Sequence, residues 1–92
     1  MSDEIESVRE HVGRSFTVAP EGAEPVELAL TELRDLASST RDGGGYALTW
    51  KGPSAPLLPQ ATYAFEGFAH EAVFLVPIGE DEDGIRYESV FN

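Results

Sequence analysis

The stretch IRYESVF, residues 85–91, decides the fold class that the sequence predicts. The residues that share one face of this stretch are Ile85, Tyr87, Ser89 and Phe91, and the other face carries an arginine and a glutamate. Strict alternation over this length is typical of a β-strand with one buried face. We therefore expect a strand here, with both aromatic side chains in the core.

Four other stretches alternate in the same way, and each predicts a further half-buried strand. They are residues 15–19, 26–31, 46–51 and 62–66. After Leu30 the spacing of the apolar side chains changes to three, with Leu33 and Leu36. This spacing fits either a helical turn or a strand bent at a bulge, and the sequence does not decide between them.

Residues 72–78, AVFLVPI, are apolar at every position. A strand that is apolar on both faces is typical of a central strand covered on both sides. Pro77 cannot donate to a ladder, so we expect this strand to end, bulge or meet an edge there.

These patterns predict a mainly β fold with about six antiparallel strands in a small barrel or rolled sheet, because closure removes exposed edges. Residues 2–12 predict one short N-terminal helix, since Ile5, Val8 and Val12 recur at spacings of three and four. We assign residues 1–13 to this helix and residues 14–92 to a single β-rich domain. The expected core comprises Phe16, Leu28, Leu48, Tyr63, Phe74, Leu75 and Tyr87.

The composition excludes several classes of protein. The 92 residues include 17 acidic and 6 basic side chains and no cysteine, for a net charge of −11. Such a chain is repelled by nucleic acids and anionic membranes, and it forms no disulfide. The acidic N-terminal residues lack the apolar core of a signal peptide, and no apolar run is long enough to insert into a membrane. We therefore expect synthesis in the cytoplasm.

No motif predicts catalysis, and we expect a protein that is not an enzyme and has no catalytic residue, metal or cofactor. The acidic turn at residues 80–84 resembles a calcium loop, but an EF-hand needs a further ligand where the sequence has Ile85. His11 and His70 lack the partners of a zinc site. The polar loop at residues 37–45 ends in three glycines, but a phosphate-binding loop would be followed by Lys-Ser/Thr and a helix rather than a strand.

The remaining candidates for function are contacts to another protein. Trp50 is either a core residue or an interface anchor, and the proline-rich residues 53–59 either pack over one barrel end or form a docking surface. The candidate interaction surface comprises Trp50, Pro53, Leu57, Phe68 and His70.

Two groups of residues resemble a known family. The first is Gly52-Pro53 followed by Leu58-Pro59-Gln60 and Tyr63. The second runs from FLVPIG at residues 74–79, through Asp83-Gly84, to the ending YESVFN at residues 87–92. Over roughly residues 13–92 the chain resembles a small bacterial domain family of unknown function, whose genes can lie near phage-tail-collar-like proteins.

The resemblance implies a non-enzymatic structural or protein-interaction module, accessory to a phage-tail-like or fibre assembly. The partner it implies is a protein that the sequence does not identify. The alternative hypothesis is a barrel that binds a small ligand or a cation.

Overall fold

A computed structural model of the chain describes residues 3–20, 22–36, 45–68 and 72–91. Within these ranges one helix, α1 (Asp3–Arg9), precedes six strands. The strands are β1 (Ser15–Ala19), β2 (Val26–Leu36), β3 (Gly45–Gly52), β4 (Ala61–Glu66), β5 (Ala72–Asp81) and β6 (Gly84–Phe91). Most of the predicted loop at residues 37–45 lies outside the described residues.

The six strands form a closed antiparallel barrel in the order β1-β2-β3-β6-β5-β4. Pairing of β1 with β4, for example Val18 with Phe65, closes the barrel. The predicted fold class is confirmed. Closure leaves the backbone donors and acceptors of each strand facing a neighbour, which explains how so short a chain forms a sheet without an exposed edge.

The helix in the structure is shorter than the helix that the sequence pattern predicts. It ends at Arg9, and turns continue to Gly13, which adopts the left-handed conformation with φ of 97° that glycine tolerates. Val8 is fully buried, whereas Val12 is exposed. None of the helical structure in the described ranges is long and apolar enough to cross a membrane.

The change of spacing after Leu30 belongs to a bent strand and not to a helical turn. The register of β2 against β3 shifts between Leu30 and Glu32. Thr31 is the extra residue, and its hydroxyl donates to the carbonyl of Thr49 at 3.1 Å. A bulge moves the following residues by one position. Leu33 therefore faces the same side of the sheet as Leu30 although the two are three residues apart.

The prediction that β5 is covered on both sides was wrong. Val73 and Leu75 are buried, but Phe74 is 47% exposed and Ile78 is 48% exposed. A barrel has one interior, so only alternate residues of β5 reach it, and in the described ranges the main contacts of β5 are with its sheet neighbours β4 and β6. The irregularity expected at Pro77 is confirmed, because the register against β6 shifts between Pro77 and Gly79.

The barrel interior is filled with side chains from every strand. Of the predicted core, Phe74 is exposed, Tyr63 is half-buried, and the others are buried: Phe16, Leu28, Leu48, Leu75 and Tyr87. Trp50 is fully buried and packs against Phe16, Phe65 and Phe68. Its indole Nε1 donates to the hydroxyl of buried Ser89 at 3.1 Å, which satisfies both polar groups.

Candidate interaction surface

The five residues that the sequence proposes as an interaction surface do not lie together. Trp50 was wrongly included, because its side chain fills the barrel interior and reaches no solvent. Phe68 is half-buried against Trp50 and follows β4, whereas the exposed Pro53 and Leu57 precede β4 and lie at its other end. His70 lies outside the described residues. Pro53 and Leu57 therefore remain as neighbours on an exposed segment.

This segment, residues 53–60, joins β3 to β4 and is called the strap. Leu58 is buried in the core, and its backbone N–H donates to the hydroxyl of Tyr87 at 3.0 Å. The hydroxyl of Tyr63 donates to the carbonyl of Pro59 at 2.5 Å. Two tyrosines thus hold the strap on the barrel at adjacent residues. Leu57, which precedes them, points outward and is 56% exposed.

The phenol of Tyr63 is suited to this contact. Burial raises the pKa of Tyr63 above its ordinary value, and the neighbouring Tyr87 raises it further. A phenol is protonated at neutral pH even at its ordinary pKa, and the upward shift extends the pH range in which Tyr63 can donate to the strap.

A cavity of about 300 Å³ opens at the barrel mouth beside the strap and is called the mouth groove. Its lining residues are Ser54 and Leu57 of the strap, Pro77, Gly79 and Glu80 of β5, and Ile85 of β6. Glu80 pairs with Ile85 across the two strands, so both side chains point to the same side of the sheet. The mouth groove thus combines an apolar lining with one carboxylate.

A second cavity of about 400 Å³, the shelf, lies on the other side of Leu57. The strap, β4 and the turn that follows β1 line it, and none of the lining residues that the structure describes is charged. Leu57 lines both cavities. It therefore lies between the mouth groove and the shelf.

The acidic turn between β5 and β6 is organised by contacts within the chain. Asp81 accepts a hydrogen bond from the backbone N–H of Asp83 at 2.8 Å. The ammonium group of Lys51 lies 3.3 Å from the carboxylate of Asp81 and 3.5 Å from that of Asp83. The hydrogen bond from Asp83 lowers the pKa of Asp81, and the charges of Lys51 and Arg86 lower it further. In the described part of the chain no three potential metal ligands are grouped.

His11 has a structural position between α1 and the barrel. Its Nδ1–H donates to the carbonyl of Ser7 at 2.8 Å. The imidazole ring lies 5.3 Å from the ring of Phe16 and 5.7 Å from that of Phe68, measured between centroids. These contacts connect the turn after α1 to the aromatic side chains at this end of the barrel.

The outer wall of the barrel carries an apolar surface that the sequence patterns did not predict. It is formed by Phe74, Ile78 and Val90 and is called the outer strip. Phe74 pairs with Thr62, and Val90, which is 49% exposed, pairs with Ala47. The β5–β6 register ends at the pair of Val76 with Glu88. Two residues further along both strands, the same register places Phe74 opposite Val90. The signal was the apolar run at residues 72–78, which we interpreted as burial within this chain.

Residues 4–91 match the model of a family described as a domain of unknown function, DUF6916. No curated protein and no solved structure matches the chain.

Proposed function

The chain belongs to the DUF6916 family of domains of unknown function, and from this premise we propose that it is a non-enzymatic protein-interaction module. The observation that carries the proposal is the outer strip. As the sequence resemblance implies, the module is accessory to a larger assembly of the phage-tail-like or fibre kind.

A closed barrel restricts how a partner can bind. Strand addition needs an exposed sheet edge, and the described strands form a ring without one. A partner therefore binds to a face of the wall. Phe74 and Val90 provide apolar area there that folding leaves in water, and covering it stabilises a complex through the hydrophobic effect.

The negative net charge of the domain favours a basic protein partner over a second copy of this chain. The net charge is −11, so two copies repel each other. Three basic residues are already paired with carboxylates of this chain, Arg9 with Asp35, Arg34 with Glu88 and Lys51 with Asp81. The excess acid therefore faces outward. The partner that fits is a protein with an apolar centre and basic surroundings.

The non-enzymatic part of the proposal is supported by the contacts of the polar groups that drew attention in the sequence. His11 is hydrogen-bonded to Ser7 and packed between aromatic rings. Asp81 and Asp83 contact Lys51. Each of these groups has a structural partner within the domain.

The sequence contains no cysteine, so a single introduced cysteine is the only thiol that an alkylating reagent can modify. Alkylation of that thiol therefore reports whether a partner covers its position. Thr62→Cys places it beside Phe74, and the matched control Ser15→Cys places it on the outer face of β1, at a position that is also exposed. Wild-type protein is used to capture a partner from an extract of the source cells, and the partner is identified by mass spectrometry. We expect the partner to slow alkylation of Thr62→Cys about tenfold or more and to leave Ser15→Cys unchanged.

Two further variants distinguish binding at the outer strip from nonspecific hydrophobic binding. Phe74→Thr with Val90→Thr should abolish capture, whereas Val12→Thr, which also removes an exposed apolar side chain, should not. Capture that survives the double substitution, or equal protection of both thiols, would refute the proposed surface. A captured protein that is not part of a tail-like or fibre assembly would refute the assembly but not the interaction module.

A further inference from the structure

We infer from the lining of the mouth groove that this groove binds an arginine side chain of the protein partner. This inference rests on the proposed function, since it assumes a basic protein partner, but it concerns a different surface from the outer strip. It assigns the mouth groove a ligand chemistry, a guanidinium group on an aliphatic stem.

The lining suits the aliphatic stem. Leu57, Pro77 and Ile85 provide apolar contacts, and Leu57 is held outward because the adjacent Leu58 is anchored in the core. Arginine and lysine side chains bury their methylene groups on such surfaces while the charged end stays at the rim. A cavity of about 300 Å³ is at the lower end of the size range of ligand sites. It therefore suits a single side chain.

The carboxylate of Glu80 suits the charged end. Among the described residues no ion pair or hydrogen bond holds this carboxylate, and the nearby Lys51 is occupied by Asp81 and Asp83. The net charge of −11 adds to the attraction for a cationic group. A guanidinium group can donate two parallel hydrogen bonds to one carboxylate, which an ammonium group cannot do.

The same lining disfavours the other ligand classes. A calcium ion takes six to eight oxygen ligands, and the mouth groove offers one carboxylate among apolar side chains. An anionic ligand would be repelled by Glu80. A neutral apolar group would fill the groove but leave the carboxylate without a partner.

The experiment uses the blocked peptide acetyl-Gly-Arg-Gly-amide as probe and the methyl groups of Leu57 and Ile85 as NMR reporters. We expect shifts of these methyl signals that saturate at about millimolar peptide, as suits one isolated contact. The citrulline peptide has nearly the same shape without the charge and should bind about tenfold more weakly or worse. Equal binding of the two peptides would overturn the inference.

A matched pair of variants separates the site from net charge. Glu80→Gln should weaken the peptide about tenfold, whereas Glu82→Gln removes the same charge from the exposed turn and should change affinity less than twofold. Leu57→Ser should also weaken binding, and because Leu57 is mostly exposed the protein stays folded, which the remaining methyl signals verify. Equal effects of the two glutamate variants would refute the site.

Failure of this inference is distinct from failure of the proposed function. If the partner protects Thr62→Cys and Glu80→Gln does not weaken its binding, the interaction module stands and the arginine contact is wrong. If the peptide binds at the mouth groove and the outer strip variant captures the partner normally, the contact stands and the outer strip is wrong.

Discussion

Replacing Tyr87 with phenylalanine tests what holds the strap on the barrel. The hydroxyl of Tyr87 accepts a hydrogen bond from the backbone N–H of Leu58 at 3.0 Å, and both residues are buried. The substitution removes this oxygen and leaves the ring in place. The N–H of Leu58 then has no partner in a site that water reaches poorly.

The expected cost follows from that unpaired donor. A buried polar group left without its partner costs about 1–3 kcal/mol. Domains of this size lose roughly 4–8 °C in Tm for each kcal/mol. We therefore expect Tyr87→Phe to lower Tm by about 8–16 °C for a cost near 2 kcal/mol, with the cooperative transition kept.

Tyr63→Phe is the matched control, because it removes the same atom from the other tyrosine that binds the strap. The acceptor there, the carbonyl of Pro59, is exposed, so water can replace the phenol and the cost should stay below about 0.5 kcal/mol. Thermal melting followed by circular dichroism measures both variants, and hydrogen exchange at the amide of Leu58 should accelerate in Tyr87→Phe alone. Similar small losses in both variants would show that packing of Leu58, and not the hydrogen bond, holds the strap.

Three further perturbations test the core, the barrel and the acidic turn. Leu75→Ala empties a fully buried position and should cost about 2–5 kcal/mol by urea denaturation; an unchanged midpoint would contradict the core assignment. Deleting residues 85–92 removes the strand between β3 and β5 and should abolish cooperative unfolding, so a soluble, cooperatively folding product ending at Gly84 would contradict the barrel. Because the folded pKa of Asp81 is lowered, its contribution to stability is present above the unfolded pKa and lost as pH falls through the folded value. Asp81→Asn should therefore flatten the fall in stability below about pH 4, and urea midpoints that decline with pH as steeply as in wild type would contradict this.

The strands could be predicted from the sequence because their signal is local. Period-two alternation locates β1, β3, β4 and β6 to within a residue or two. The order of the strands in the barrel is a property of residues far apart in the chain. Alternation is the same whichever neighbour a strand has, so it predicted a small barrel or rolled sheet but not which strands pair.

The outer strip and the bulge in β2 show two other limits of sequence patterns. An apolar face is recorded in the sequence in the same way whether this chain or another molecule covers it, so Phe74 was assigned to the core. A spacing of three after Leu30 is compatible with a helical turn and with one inserted residue. Only the register against β3 distinguishes these, and that register depends on strand pairing.

The candidate site was predictable only in part, because exposure depends on which residues anchor a segment. The prolines of the strap indicated an extended connection, and Leu57 within it is exposed. The sequence contains no sign that Tyr87, twenty-nine residues further on, holds Leu58 and thereby turns Leu57 outward. The sequence does not distinguish Glu80 from the other acidic residues. Only its pairing with Ile85 in the structure shows that it lines the mouth groove.

The position of β6 between β3 and β5 has a consequence for how the chain folds. β3 and β6 meet through pairs such as Tyr46 with Phe91. This pairing forms only after the intervening chain, which contains β4 and β5, has brought β6 back to β3. Topologies rich in such distant pairs fold slowly, in milliseconds to seconds. Trp50 contacts Phe16 of β1, Phe65 of β4 and Ser89 of β6. Its fluorescence is therefore a built-in probe of ring closure, which can be followed in real time without any added label.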